Sequence, residues 1–497
     1  MLLFLVFAPI VTALLVLFGA PARLTALVGS AATAVAALLA IFLYQTIPGG
    51  FQFITSFTIS ESWRLSFLLG ADGLSLIMLF LAALVLLCAV WFTPPIEKSE
   101  RLFYACLLFL ASGAIGAFAS LDLFFFYAFH ELALIPTFLL IGIWGSGNRY
   151  AAAWKVTIYL GLGSFVLLLG LILLYRSVPP ASRSFDLRAL QTVAASGGIP
   201  LAAQNQIFLL LLIGFGVLIS LFPFHTWAPE AYAAAPAPAA MLHAGVLKKF
   251  GLYGLLRVAL PLLPAGAEHW RSLLIVLLLG NIIYVGLVTI AQKRLDWMLG
   301  YSSVMHMGYI FLGIASLNLI GLNGAAVLMF AHGISIALLF ALAGEIRRRT
   351  GTLVFADLGG LAKMMPFAGF AFGVAAFAAI GLPGFANFAA EVLVFFGAVR
   401  VGADWQGFHL FQVATALALW GVVISAVYML RAYRAVFMGP PNGKRFGSDR
   451  TNPVDLSRTL RWPVVMLIAA TMIVGFFPNS VLHLLRPTFS ATLAANR

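Results

Sequence analysis

Six ionisable residues stand inside otherwise apolar stretches of this sequence, where a charge needs a physical reason. Glu131 lies in "FFFYAFHELALIPTFLLIGIW" (124–144) beside His130. Lys248 and Lys249 lie in "HAGVLKKFGLYGLLR" (243–257), His306 in "GYSSVMHMGYIFLGI" (300–314), His332 in "AHGISIALLF" (331–340) and Glu391 in "GLPGFANFAAEVLVF" (381–395). At the centre of a bilayer each charge costs at least about 2.5–3.5 kcal/mol on insertion scales. Three uses compete. Charges can pair to join helices, with a lone histidine bonding a carbonyl across an interface; they can grip an ionic solute; or they can hand protons along, because burial brings acids and amines alike toward the range where they exchange protons near neutral pH. A purely structural network would come as matched pairs. Six residues of mixed sign on five apolar runs fit a relay better, while Asp72, Asp122 and Glu345 sit nearer the ends of their runs.

Helical spacing sorts these residues further. Lys249, Tyr253 and Arg257 recur every four positions and form one stripe, and Ser302 and His306 share that spacing. Both patterns predict a wet path along a helix face. Lys248 lies about 100° round the helix from Lys249, so the two cannot face one partner. The expectation is that one of them snorkels toward a membrane surface and that Lys249 carries the chemistry.

The elements that must position these residues are membrane helices. Of the 497 residues 63% are hydrophobic and 9% charged, and mean hydropathy is +1.05, far from soluble composition. The sequence predicts an all-α polytopic membrane protein with about fourteen spans, near 3–19, 24–44, 71–92, 102–119, 121–143, 155–175, 207–224, 236–260, 272–291, 297–316, 324–345, 366–399, 411–436 and 462–482. The opening run "MLLFLVFAPIVTALLVLFGAPA" ends in small residues but has no basic start, so it reads as the first span and not as a signal peptide. Loops after odd-numbered spans hold twice as many lysines and arginines as the opposite face. The positive-inside rule makes that face cytoplasmic and puts both termini outside. The net charge of +13 thus reports topology, and nucleic acid is not an expected partner. Cys88 and Cys106 both lie in apolar runs and the histidines lack close metal-ligand spacing, so neither a disulfide framework nor a metal site is expected.

Two spans carry proline at mid-run, "LLIGFGVLISLFPFHTWAPEAYAAAPAPAA" and "FGVAAFAAIGLPGFANFAAEVLVFFGAV". Proline removes a backbone donor and clashes with the preceding turn, so helices 7 and 12 are expected to unwind around Pro223 and around Pro383-Gly384. Breaks five spans apart are what two inverted five-helix repeats would show, helices 4–8 and helices 9–13. The organisation expected is a single membrane domain over 1–497: helices 1–3 in 1–100, repeat one in 101–260, repeat two in 271–436, and a basic cytoplasmic loop with helix 14 in 437–497.

At these residues the chain resembles the antiporter-like subunits of respiratory complex I, the proton-translocating NADH:quinone oxidoreductase, and among them the M-type (subunit 4). To the stretches quoted above are added "ADGLSLIMLFL" (71–81), "FPFHTWAPEAYAAAPAPAAMLHAG" (222–245) and "GGLAKMMP" (359–366). The "GVLKKFGLYG" form and the glutamate after "GLPGFANF" favour M over L- and N-type relatives. The resemblance implies that Glu131, Lys249, His306, His332 and Glu391 form a mid-membrane proton relay, with Lys248 as a further candidate. It also implies that FMN, iron–sulfur clusters and quinone belong to partner subunits, with no redox chemistry in this chain. The implied setting is a bacterial inner (plasma) membrane with the termini on the periplasmic side, next to L- and N-type subunits and the lipid bilayer.

Two positions depart from the family's pattern. Where the family places a lysine on helix 7, seven residues before the histidine of "PFH", this chain has Leu218, which leaves Glu131 to find another cation, such as Lys248, or to stay protonated. In "RLDWMLGY", Arg294 and Asp296 replace the family's Asp-x-Lys. The rival readings are a subunit of a multisubunit sodium/proton antiporter or a related ion-pumping complex, and a non-conducting scaffold subunit.

Overall fold

A run of about 20 apolar residues in lipid must satisfy every backbone polar group internally, which makes it a helix. The computed structural model, which describes residues 1–46, 50–402, 409–440 and 453–495, follows that rule. Helices α1 (Leu2–Leu17) and α2 (Ala22–Leu43) lead to a hairpin of β1 (Gln52–Ser60) and β2 (Leu65–Ala71), then α3 (Gly73–Phe92), α4 (Glu100–Ala119), α5 (Leu123–Trp144) and α6 (Arg149–Ser177). A short amphipathic α7 (Leu187–Ala195) precedes α8 (Leu201–Ile219) and α9 (Trp227–Ala234). The second half is α10 (Ala237–Leu242), α11 (Lys249–Gly254), α12 (Leu260–Leu262), α13 (Pro264–Leu279), α14 (Gly286–Ala291), α15 (Leu295–Ala315), α16 (Leu319–Thr350), α17 (Pro366–Ile380), α18 (Ala386–Val399), α19 (Leu410–Phe437), α20 (Arg458–Phe476) and α21 (Asn479–Ala495).

Among the described residues eleven helices are long and apolar enough to cross a membrane. The other three expected spans take different forms. The first is the shorter α1, the twelfth is split into α17 and α18, and the eighth alternates α and π segments, with π turns at His243–Leu247 and Leu255–Ala259. The antiparallel hairpin, in which Phe57 faces Phe67 and Thr55 faces Leu69, was not expected. Its alternating "QFITSFTIS" carries the strand pattern, but a search for 19-residue apolar runs passes over it. Of the basic loop expected before the last span, Lys444, Arg445 and Arg450 lie outside the described residues, as does Arg497.

Both expected breaks are present. Helix α8 stops at Ile219, with Ser220 left-handed at φ 68°, and helix resumes only at Trp227. Asn281 serves the backbone that this opens. Its Oδ1 accepts from Phe222 N–H at 2.7 Å, and its Nδ2 donates to the carbonyls of Ser220 at 3.1 Å and Val304 at 2.9 Å. Unwound backbone survives at membrane depth when protein groups replace the lost ladder. Helix α17 ends at Ile380, and Gly381, at φ 80°, turns the chain toward α18.

Burial follows composition. Helix α16 is apolar along its central turns apart from His332 and Ser335 and is buried all round, packed against α18, α15, α3 and α10, whereas α2 buries only one face. Five of the six candidate residues, all but Glu131, therefore lie around α16, in the driest part of the molecule.

Candidate proton-relay site

The eighth span supplies two lysines that are both wholly enclosed, Lys248 at 1% exposure and Lys249 at 0%. Neither snorkels, contrary to expectation, because the π turn at His243–Leu247 and the packing of α16, α3 and α4 around it leave no route to a surface. They do face different partners. Lys249 Nζ donates to Ala244 O at 2.7 Å and lies 3.0 Å from His332 Nδ1 on α16. Lys248 Nζ reaches Ser303 Oγ on α15 at 3.3 Å and stands 5.6 Å from the ring centre of Tyr232 on α9.

From Lys249 the groups continue across the core. The rings of His332 and His306 are 5.6 Å apart. His306 Nδ1 faces Ser302 O and its Nε2 faces Ala379 O, each at 2.8 Å. Carbonyls only accept, so a neutral ring satisfies one of these contacts and the imidazolium satisfies both. Ala379 lies in the last turn of α17, two residues before Gly381, and the Glu391 carboxylate packs against Gly381 so closely that a Cβ there would collide with it. Tyr309, one turn from His306, stacks edge-on to it at 5.8 Å and lies within electrostatic range of Glu391; its hydroxyl has no partner among the described residues. Glu391 is 4% exposed and forms no ion pair among the described residues. The structure thus brings Lys249, His332, His306 and Glu391 into one enclosed chain, with Lys248 at its side.

Glu131 is placed apart from them. Its carboxylate is 38% exposed on the flank of α5 and accepts a hydrogen bond from Ser164 Oγ of α6, which also meets Tyr127 at 3.1 Å. No lysine or arginine pairs with it among the described residues. The suggestion that Lys248 is its cation is therefore corrected, since Lys248 is engaged by Ser303 and Tyr232. The neighbour it has is His130, with Nδ1 3.6 Å from Glu131 Oε1. That imidazole is 3% exposed and stacks at 4.2 Å on Phe250, the residue after Lys249. Leu218 is an ordinary buried apolar residue at 4% exposure.

The stripe Lys249–Tyr253–Arg257 is also corrected, because its outer part is a latch and not a wet path. Arg257 is ion-paired to Asp72, which caps α3 by accepting from Ser75 N–H at 3.0 Å. Tyr253 OH sits 2.9 Å from Ser75 Oγ and donates to Phe118 O at 3.0 Å. Guanidinium does not give up its proton in proteins, so this end cannot pass protons. Arg294 and Asp296 form a 2.8 Å pair, and Asp296, 3% exposed, also pairs with Arg347 of α16. Sequence reasoning passed over His130, His243, Tyr232 and Tyr309. His130 and Tyr309 lie within three residues of a quoted site residue, His243 five before Lys248 and Tyr232 nine after Pro223, but only the packing shows what each faces. Among the described residues no group of three or more His, Cys, Asp or Glu is placed to hold a metal ion.

Residues 120–418 match the family described as NADH:quinone oxidoreductase/Mrp antiporter, TM. NADH-quinone oxidoreductase subunit M of Rickettsia felis is 34% identical over 469 residues, 94% of this chain and 91% of that one. NAD(P)H-quinone oxidoreductase chain 4 2 of Synechococcus sp. (strain JA-3-3Ab) is 36% identical over 455 residues, 91% of this chain and 83% of that one. Among solved structures, a chain of respiratory complex I from Thermus thermophilus with bound NADH superposes with a TM-score of 0.88 at 28% identity, covering 99% of this chain and 100% of that one. A chain of the Mrp complex from Dietzia sp. DQ12-45-1b shares the fold, with a TM-score of 0.84 at 21% identity over 100% and 96% of the two chains.

Proposed function

Because the chain belongs to the family of NADH:quinone oxidoreductase and Mrp antiporter transmembrane subunits, we propose that it is the antiporter-like M subunit of a proton-translocating NADH:quinone oxidoreductase. It moves protons while other subunits oxidise NADH and reduce quinone. The observation that carries the residue assignment is the enclosed series Lys249, His332, His306, Glu391. Two unit charges about 4 Å apart interact by roughly 4 kcal/mol at an effective dielectric near 20, which changes a proton affinity about a thousandfold. Protonating one station therefore expels or attracts the proton of the next, and a charge displaced at one end is felt in sequence at the other. FMN, iron–sulfur clusters and quinone sit in partner subunits on this reading.

Glu131 belongs to the same relay as the station nearest a neighbouring subunit. A carboxylate open on the flank of a membrane helix is costly against lipid, which supports a protein neighbour there, in this reading an L- or N-type subunit. The bias of lysine and arginine supports a bacterial inner membrane with both termini on the periplasmic side. The test is the assembled complex in sealed vesicles carrying Lys249→Met or Glu391→Gln. Fewer protons pumped per quinone reduced is the result expected, and an unchanged ratio in both variants would remove these residues from the relay.

A further inference from the structure

We propose that Tyr232 and His243 form the proton inlet of this chain, joining a surface cavity to Lys248. The inference rests on the relay reading above and adds the route by which protons reach it. A cavity of about 470 Å³ opens on the face that carries the loops after α3 and α5. Its mouth holds exposed Glu97 and Lys98 with Asp296 and Arg347, charges of both signs that keep a cleft wet, and its wall includes Tyr232. Tyr232 is 3% exposed and its hydroxyl lies 3.3 Å from His243 Nδ1. A smaller void of about 10 Å³ adjoins both residues and Thr137, room for about one water. Beyond them Lys248 Nζ stands 5.6 Å from the same tyrosine ring and within electrostatic range of His243.

His243 is 5% exposed, and its Nε2 has no hydrogen-bond partner among the described residues, which is costly for a purely structural histidine. It also opens the π turn that ends at Lys248, so the irregular backbone places imidazole and amine on one path. Such turns are frequent at functional sites. The transfer balances without any co-reactant. A hydronium in the cavity gives a proton to the Tyr232 oxygen, leaving water, as the hydroxyl's own proton passes to His243 Nδ1. His243 Nε2–H then protonates the neutral amine of Lys248, directly or through one water, which leaves a neutral Nδ1–H imidazole and moves one proton's charge from the cavity to the lysine; the ring returns to its first tautomer before the next transfer.

The test uses the assembled complex in sealed vesicles, reading protons taken up per quinone reduced, with quinone reduction measured separately under uncoupler. His243→Leu and Tyr232→Phe are expected to slow proton uptake about tenfold or more, the range that a lost acid–base group produces. His243→Gln fills similar space and still bonds the tyrosine but passes no proton, so it should be as slow as His243→Leu; normal uptake with glutamine would overturn the proposal. Ala237→Cys, on the cavity wall, should slow uptake when a charged, water-soluble thiol reagent is added from that face, whereas labelling without slowing would also overturn it. Lys249→Met separates the two levels. If it lowers the ratio and the His243 variants do not, the inlet is wrong and the relay stands; if it leaves the ratio unchanged, the relay itself falls.

Discussion

Lys249 Nζ and His332 Nδ1 lie 3.0 Å apart with neither side chain more than 2% exposed, so an amine and an imidazole share a dry contact that tolerates one positive charge and not two. Protonating either group disfavours protonating the other. His332→Gln keeps a hydrogen-bonding side chain beside the lysine but removes the exchangeable site. Pumping should fall about tenfold or more while quinone reduction under uncoupler persists. Vesicle acidification per quinone reduced is the measurement, and a normal ratio would take His332 out of the route.

His130 stands where Glu131 needs a cation, 3.6 Å from its carboxylate. His130→Phe should lower coupled pumping, and His130→Lys should restore most of it. Leu218→Lys in the His130→Phe background is the sharper experiment. Val217, the preceding residue, packs against Gly163 beside Ser164, which holds Glu131, so the long side chain of a lysine at 218 has to reach about 100° round the helix to meet the carboxylate. Failure of both lysines to rescue would mean that Glu131 works without a cationic neighbour.

The Asp72–Arg257 pair is buried on both sides, with Ser75 and Tyr253 completing its hydrogen bonds. Removing one partner strands the other charge. Arg257→Met should therefore destabilise the fold by about 3–5 kcal/mol, read as a lower unfolding temperature of the purified complex. Molecules that still assemble should pump at a normal ratio, because arginine is not a proton station.

Gly381 combines a left-handed φ of 80° with a Glu391 carboxylate pressed against its Cα. Gly381→Ala should cost about 1–2 kcal/mol for the backbone alone and displace the carboxylate as well. The expected outcome is normal assembly with impaired pumping, measured as in the other variants. A fully coupled alanine variant would show that the position of Glu391 is not critical.

Much of this site was legible along the chain. Lys249, His306, His332 and Glu391 stood out because a charge or imidazole in a 20-residue apolar run is anomalous whatever surrounds it. Pro223 and Pro383 announced their breaks because proline cannot complete a helical ladder. The hairpin at 52–71 was missed because its period is two, and the snorkelling expected of one lysine failed because the helices that enclose both come from distant parts of the chain.

The sequence by itself determined the polytopic helical class, the two broken helices and which buried ionisable residues are candidate stations, because hydropathy, proline and the cost of a buried charge act on a segment alone. Only the tertiary structure decided which station faces which. Lys249 meets a histidine 83 positions away, Glu131 meets its own neighbour and no lysine, and Arg257 is tied down by Asp72. Those pairings depend on helix rotation, local π turns and packing between distant segments, and no single stretch of the chain encodes them.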